Sequence, residues 1–279
     1  MENYTYATVP TQSIEANGIT FAYRSYGKEG GLPIIYFQHL AGTLDNADPR
    51  IMDEISKHHR IISFDLRGIG ATTGETPDSI YAMAVDAIAF IEALGFDKVN
   101  VLAFSLGGFI AQEVLVKKPE LINKIILAGT GPRGGEGISD VVWTTYWDIA
   151  KGFFTFQDPK VFLFFNRDEI GKLAAHQFID RINERKENRD KDIKINAFQT
   201  QLKAIKTWGH DTPADLSVYN LPVFVVNGDN DRMVPTPNSY DLAKRFPNAE
   251  LKIYEDAGHG GIFQYYEDFT RRALDFFTK

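Results

Sequence analysis

Six short β-rich runs separated by longer stretches of helical periodicity leave this chain few ways to fold. The runs lie at residues 34–37, 60–64, 99–104, 124–128, 221–226 and 250–254. Each has the length of a strand, and several are apolar throughout, as strands covered on both faces are. Between them, Ile80, Met83, Ala84, Ala87, Ile88 and Ile91 keep the spacing of one helix face until Gly95 stops it. Residues 106–116 read as a helix ended by Pro119. From Gln264 onward, Phe269, Ala273, Phe276 and Phe277 give a closing helix its inner face. Strands alternating with helices imply an α/β fold with a mostly parallel central sheet flanked by helices, because parallel neighbours need a long crossover between them.

The alternation breaks once. Residues 133–137 are glycine-rich and read as loop. Aromatics then crowd the chain: Trp143, Tyr146, Trp147, Phe153, Phe154, Phe156, Phe162, Phe164 and Phe165. Residues 180–194 are charge-dense, with the look of an amphipathic helix whose polar face is solvated. A length of 279 residues allows more than one structural unit. The chain therefore divides into a sheet domain, residues 1–131 and 216–279, and a helical cap of residues 132–215 inserted after the run at 124–128, which counts as the sixth strand of the expected sheet.

Composition removes several function classes. There are no cysteines, so disulfides, thiol nucleophiles and cysteine metal sites are excluded. The six histidines lack the spacing of a zinc motif, and no metal or cofactor is expected. With 37 acidic against 30 basic residues the net charge is -7, which disfavours nucleic acid as a partner. No apolar stretch approaches the roughly 20 residues of a membrane span. Residues 1–13 lack the basic and apolar regions of a signal peptide, so a cytoplasmic protein, monomer or homodimer, is expected.

The sharpest local signal is Ala103-Phe104-Ser105-Leu106-Gly107-Gly108, between a strand and a helix. A serine at such a position also serves as an ordinary helix N-cap. A tight strand-to-helix turn, however, exposes its hydroxyl at the positive end of the helix and aims the Leu106 amide at a developing oxyanion. Small residues are needed around the turn, and Ala103 and Gly107 supply them. A serine nucleophile needs a histidine base. His259, in Asp256-Ala257-Gly258-His259-Gly260-Gly261, sits on a glycine-rich loop after the last strand. The histidine in turn needs a carboxylate to fix its tautomer. Gly228-Asp229-Asn230-Asp231 offers two; Asp231 is chosen, because Asp229 leaves the strand first and is placed to brace the turn. The chain order Ser105, Asp231, His259 is the order of nucleophile-elbow hydrolases.

From the loop at His39 to the C-terminus the chain resembles the α/β-hydrolase superfamily. The resemblance rests on residues 103–108, the acid loop Gly228 to Pro235 and Ala257-Gly258-His259-Gly260. It implies a second oxyanion amide on Ala41, within Gln38-His39-Leu40-Ala41-Gly42-Thr43, where Leu40 replaces the usual glycine. His39 is then structural, and Asp65 and Arg67 brace the fold through ion pairing. An insertion at that place would hang over Ser105, with Leu40, Trp143, Trp147 and Phe154 lining an apolar pocket. The expected activity is cofactor-free serine hydrolysis of a carboxylic ester or lactone of an apolar small molecule. The alternatives are other reactions of the same scaffold (perhydrolase, carbon–carbon hydrolase, cofactor-free oxygenase) or a slow-turnover ligand sensor.

Overall fold

The computed structural model describes residues 4–279; residues 1–3, the head of the polar N-terminal stretch, lie outside the described residues. Eight strands form one sheet in the order β1-β2-β4-β3-β5-β6-β7-β8. They are β1 (Gln12–Ala16), β2 (Ile19–Gly27), β3 (Ile34–Phe37), β4 (Arg60–Phe64), β5 (Val99–Phe104), β6 (Ile122–Ala128), β7 (Val223–Gly228) and β8 (Ala249–Tyr254). β2 runs antiparallel to both β1 and β4, and every other pairing is parallel. The helices are α1 (Pro49–Ser56), α2 (Ile80–Ala93), α3 (Leu106–Lys117), α4 (Val141–Thr155), α5 (Lys160–Phe164), α6 (Glu169–Ile182), α7 (Ile195–Gly209), α8 (Pro237–Arg245), α9 (Gly261–Gln264) and α10 (Tyr266–Thr278).

The expected strands and flanking helices are therefore present, and β1 and β2 are added to them. That hairpin carries its own signal: Asn17 and Gly18 both have positive φ, 50° and 73°, as a two-residue turn between twisted strands requires. Alternate residues of the parallel strands enter opposite core layers. Val99, Val101 and Ala103 pack on the side of α2 and α3, and Leu102 and Phe104 on the side of α1 and α10. Double coverage explains why these strands read as unbroken apolar runs.

Helices α4 to α7 fall between β6 and β7. The helix expected over residues 180–194 is corrected: α6 ends at Ile182, and residues 183–194 have no regular structure. Their polar groups are used elsewhere. Arg181 pairs with Asp48 at 2.7 Å, Arg185 donates to Val9 O at 2.9 Å, and the Asp190 N–H donates to Asp45 Oδ2 at 2.8 Å. Arg181 and Arg185 are buried, while Lys186, Glu187, Asn188, Arg189, Lys191 and Asp192 are exposed, so the stretch is a strap on the sheet domain whose outer side is the expected solvated face.

The ion pairing expected at Asp65 and Arg67 holds for one of them. Arg67 pairs with Asp86 at 2.8 Å. Asp65 is buried with no cationic partner among the described residues and instead faces Asp190: a Cβ on Gly70 would lie 2.4 Å from an oxygen of each. Burial, then Asp190, pushes the Asp65 carboxyl well above the usual range. A neutral acid can donate across this gap, which two carboxylates cannot. The charged form is thus disfavoured in the fold. The penalty is absent below about pH 4, where an unfolded aspartate is itself protonated, and grows as pH rises toward the raised folded value. Asp65→Asn, which never ionises, should lose less melting temperature between pH 5 and about pH 8 than wild type, with the gap widening as pH rises. Parallel melting curves against pH for the two proteins would refute this.

Candidate active site

β5 ends at Phe104, α3 begins at Leu106, and Ser105 is the sole link between them. It holds φ 56° and ψ -120°, a conformation that costs a non-glycine residue about 1–3 kcal/mol and persists where the surroundings over-determine it. They do so here. Ser105 N–H donates to Ala128 O at 2.9 Å, and its carbonyl accepts from Gly108 N–H at 2.8 Å and Thr130 Oγ1 at 3.0 Å. The side chain makes no capping bond to α3, so the N-cap reading of the serine does not account for it. Gly107 is needed for close approach: a Cβ there would meet Phe37 O at 2.3 Å. Backbone of β3 cannot yield as a side-chain tip can. Gly107→Ala should therefore destabilise the fold by about 1–3 kcal/mol, measured by denaturant unfolding.

The acid loop after β7 separates the two aspartates by role. Asp231 is buried; its Oδ1 accepts from the N–H groups of Met233 at 2.7 Å and Val234 at 3.0 Å. Its Oδ2 lies 2.8 Å from His259 Nδ1. Asp229 is exposed and accepts from the N–H groups of Asp256 and Ala257, both at 3.2 Å, bracing the loop that carries His259. His259 is buried, with its ring centroid 4.9 Å from Phe104 and 5.5 Å from Phe164. The main chain of this loop is held by α5 as well, through Gly260 N–H to Phe164 O at 2.6 Å. With Nδ1 donating to Asp231, Nε2 is the free acceptor nitrogen, and it has no hydrogen-bond partner among the described residues.

Ser105 and His259 line one cavity of about 430 Å³. Its walls are largely apolar, from Leu40, Ile149, Leu163, Phe164, Phe198 and Met233. Thr145, Asp158, Lys160 and Gln199 add polar groups, with Lys160 and Asp158 paired at 3.1 Å. Leu40 thus lies where the sequence puts it. Trp143, Trp147 and Phe154 do not: they are 75%, 71% and 78% exposed on the outer side of α4, and that expectation is corrected. The inner side of α4 carries Val141, Thr145, Asp148 and Gly152, and Asp148 is held there by Arg167 at 2.9 Å and by Arg232 of the acid loop at 3.2 Å. An ion pair, and not apolar periodicity, decides which way this helix faces. The cavity takes Tyr146 and Ile149 from α4 instead.

The amides of the oxyanion loop differ in what they bind. Ala41 N–H is already bonded, to Gln201 Oε1 at 2.9 Å. The Leu40 and Leu106 amides have no acceptor among the described residues. His39 is buried beside them; burial pushes its imidazole down to about 3, and Nδ1–H donates to Leu40 O at 2.7 Å. It is neutral and bracing, not a base. Gln201 is absent from the sequence reading, although a signal exists: it interrupts the apolar face of α7 set by Ala197, Ala204, Ile205 and Trp208.

Comparison with known proteins places this geometry in context. A family model described as alpha/beta hydrolase fold matches residues 33–265. An alpha/beta hydrolase fold protein from Chitinophaga pinensis is 42% identical, with 97% of this chain and 98% of that one covered and a TM-score of 0.90. A 2-hydroxy-6-oxononadienedioate/2-hydroxy-6-oxononatrienedioate hydrolase from Klebsiella pneumoniae is 28% identical over 68% of this chain and 65% of its own. A proline iminopeptidase from Pestalotiopsis fici is 27% identical over 88% of this chain and 92% of its own. With its parallel sheet, its serine turn after β5 and this match over most of its length, the chain belongs to the alpha/beta hydrolase fold family.

Proposed function

We propose that this protein is a serine hydrolase that cleaves a carboxylic ester or lactone of an apolar small molecule through an acyl-enzyme. The observation that carries the reading is the short Asp231–His259 contact, which leaves Nε2 unpartnered in the same cavity that Ser105 lines. Ser105 Oγ attacks the carbonyl carbon and gives its proton to His259 Nε2. Asp231 stabilises the resulting imidazolium. The imidazolium then protonates the departing alkoxide, leaving an acyl group on Ser105. Water, deprotonated by His259, attacks that ester and releases the acid, and the proton returns to Ser105. Both tetrahedral states carry an oxyanion, for which Leu106 N–H and Ala41 N–H are the donors, the latter exchanging Gln201 Oε1 for the oxyanion. Residues 132–215 act as a cap whose inner side, with Thr145, Tyr146 and Ile149, closes the apolar cavity and excludes water.

The test is exposure to a fluorophosphonate followed by peptide mass spectrometry, then turnover of a panel of p-nitrophenyl esters and lactones. A single adduct on Ser105 and hydrolysis of an apolar ester are expected. No adduct, or an adduct elsewhere, sinks the reading.

A further inference from the structure

The outer side of α4 is more apolar than a solvent-facing helix surface has reason to be. Trp143, Trp147, Ala150 and Phe154 are all exposed and follow one another at steps of four, three and four residues. That is the spacing of a seam by which one helix packs along another. Phe153 and Phe156 stand exposed beside it. At roughly 150–250 Å² per large aromatic side chain, these five aromatics offer on the order of 600–1,000 Å² to solvent. The largest apolar patch of a typical monomer is about 300–600 Å². A stable interface covers about 800 Å² on each partner, which this face alone can supply.

The outward aim is built in. Asp148 faces the other way, buried in its pairs with Arg167 at 2.9 Å and Arg232 at 3.2 Å, and turning the seam inward would break both. Charge narrows the choice of occupant. The charged residues of α4 are Asp148 and Lys151, and the Lys151 ammonium is 4.3 Å from the Phe162 ring. The seam therefore carries no cation, whereas helices that lie on a lipid surface carry Lys and Arg beside their apolar face. A net charge of -7 adds repulsion from an anionic membrane. A second helix with the same seam meets these demands, and every copy of the chain has one.

We propose that the outer side of α4 is the interface of a two-fold homodimer, in which two α4 helices pack antiparallel. Symmetry makes such a contact self-complementary: Trp147 lies against Ala150 of the partner subunit, and Trp143 against the partner's Phe154. The small Ala150 near the centre lets the helices approach. Tyr146, next to the seam, is exposed and also lines the catalytic cavity, so the partner is seated beside the cavity wall. The dimer does not depend on which reaction the site performs.

The experiment reads mass in solution by size exclusion with light scattering at about 1–100 μM, a range in which an interface of this size is populated. Wild type should run at twice the mass of one chain. Trp147→Glu, which sets like charges near the two-fold axis, should raise the dissociation constant by about 100-fold or more, with an unchanged melting curve, because the side chain it replaces is mostly solvent-exposed. If Trp147→Glu does not fold, Phe154→Lys takes its place. The chain has no cysteine, so Ala150→Cys introduces a single thiol on the seam. A short bis-maleimide should link two copies through it, and the link should be lost when Trp147→Glu is added. A monomer across the whole concentration range overturns the inference; flotation of that monomer with phosphatidylcholine vesicles would then assign the face to a lipid surface. A dimer that persists in both Trp147→Glu and Phe154→Lys, or that is not cross-linked through position 150, lies elsewhere on the molecule and overturns it as well.

Discussion

Alanine at position 105 is expected to lower ester turnover by about 10⁴- to 10⁶-fold and to abolish fluorophosphonate labelling. The magnitude follows from what the substitution removes. No other hydroxyl or thiol is held by the strained link between β5 and α3 in the cavity that His259 lines, and the chain has no cysteine to substitute. The residual rate reflects water attacking a carbonyl that is bound and polarised by the remaining hydrogen-bond donors of the site. Stability should change little. The hydroxyl makes no capping bond, and the positive φ belongs to the backbone, which alanine at that position shares. Steady-state kinetics on purified protein, with a thermal melt beside it, checks both halves. Turnover retained within tenfold would mean that the bond is broken without a serine nucleophile, as in a cofactor-free oxygenase route.

Asp231→Asn is expected to lower kcat by about 10⁴-fold with little change in KM, whereas Asp229→Asn should leave the rate within a few fold. The two differ in what their oxygens hold. Asp231 Oδ1 accepts from Met233 and Val234 N–H groups while Oδ2 accepts from His259 Nδ1. An asparagine must keep its oxygen on the two backbone donors and so turns its NH₂ toward the imidazole. Nδ1 then becomes the acceptor and the proton moves to Nε2, the nitrogen that must take the serine proton. The fold is preserved while the tautomer is wrong. Asp229 touches only N–H groups of Asp256 and Ala257, and an amide oxygen replaces one of those contacts. Rates for the two variants, measured side by side on one ester, separate the roles. Equal losses would show that the acid acts by holding the loop.

Much of this was legible before any coordinates. The parallel strands are buried on both faces, so their apolar runs stand out, and a serine between strand and helix followed by glycines has few other uses. Asp231 and Asp229 could be told apart because distance from a strand end limits reach. Legibility fails where a long-range polar contact overrides local pattern. The aromatics of α4 read as an inward face, yet Asp148, buried against Arg167 and Arg232, turns them out to solvent. Residues 180–194 read as a helix, yet beyond Ile182 Arg185 and Asp190 find partners on Val9 and Asp45, and the chain runs as a strap.

The sequence by itself determined the layered architecture, the serine turn between β5 and α3 and the order in which the buried aspartate and histidine follow it, since these follow from periodicity and from residue types with few substitutes. The tertiary structure alone decided which amide of the loop after β3 is free. That choice depends on Gln201, 160 residues away, whose side-chain oxygen occupies Ala41 N–H and leaves Leu40 N–H open. Local spacing shows only that a polar residue sits on the apolar face of α7; its partner is not legible there, because the bond exists only once two separately folded segments meet.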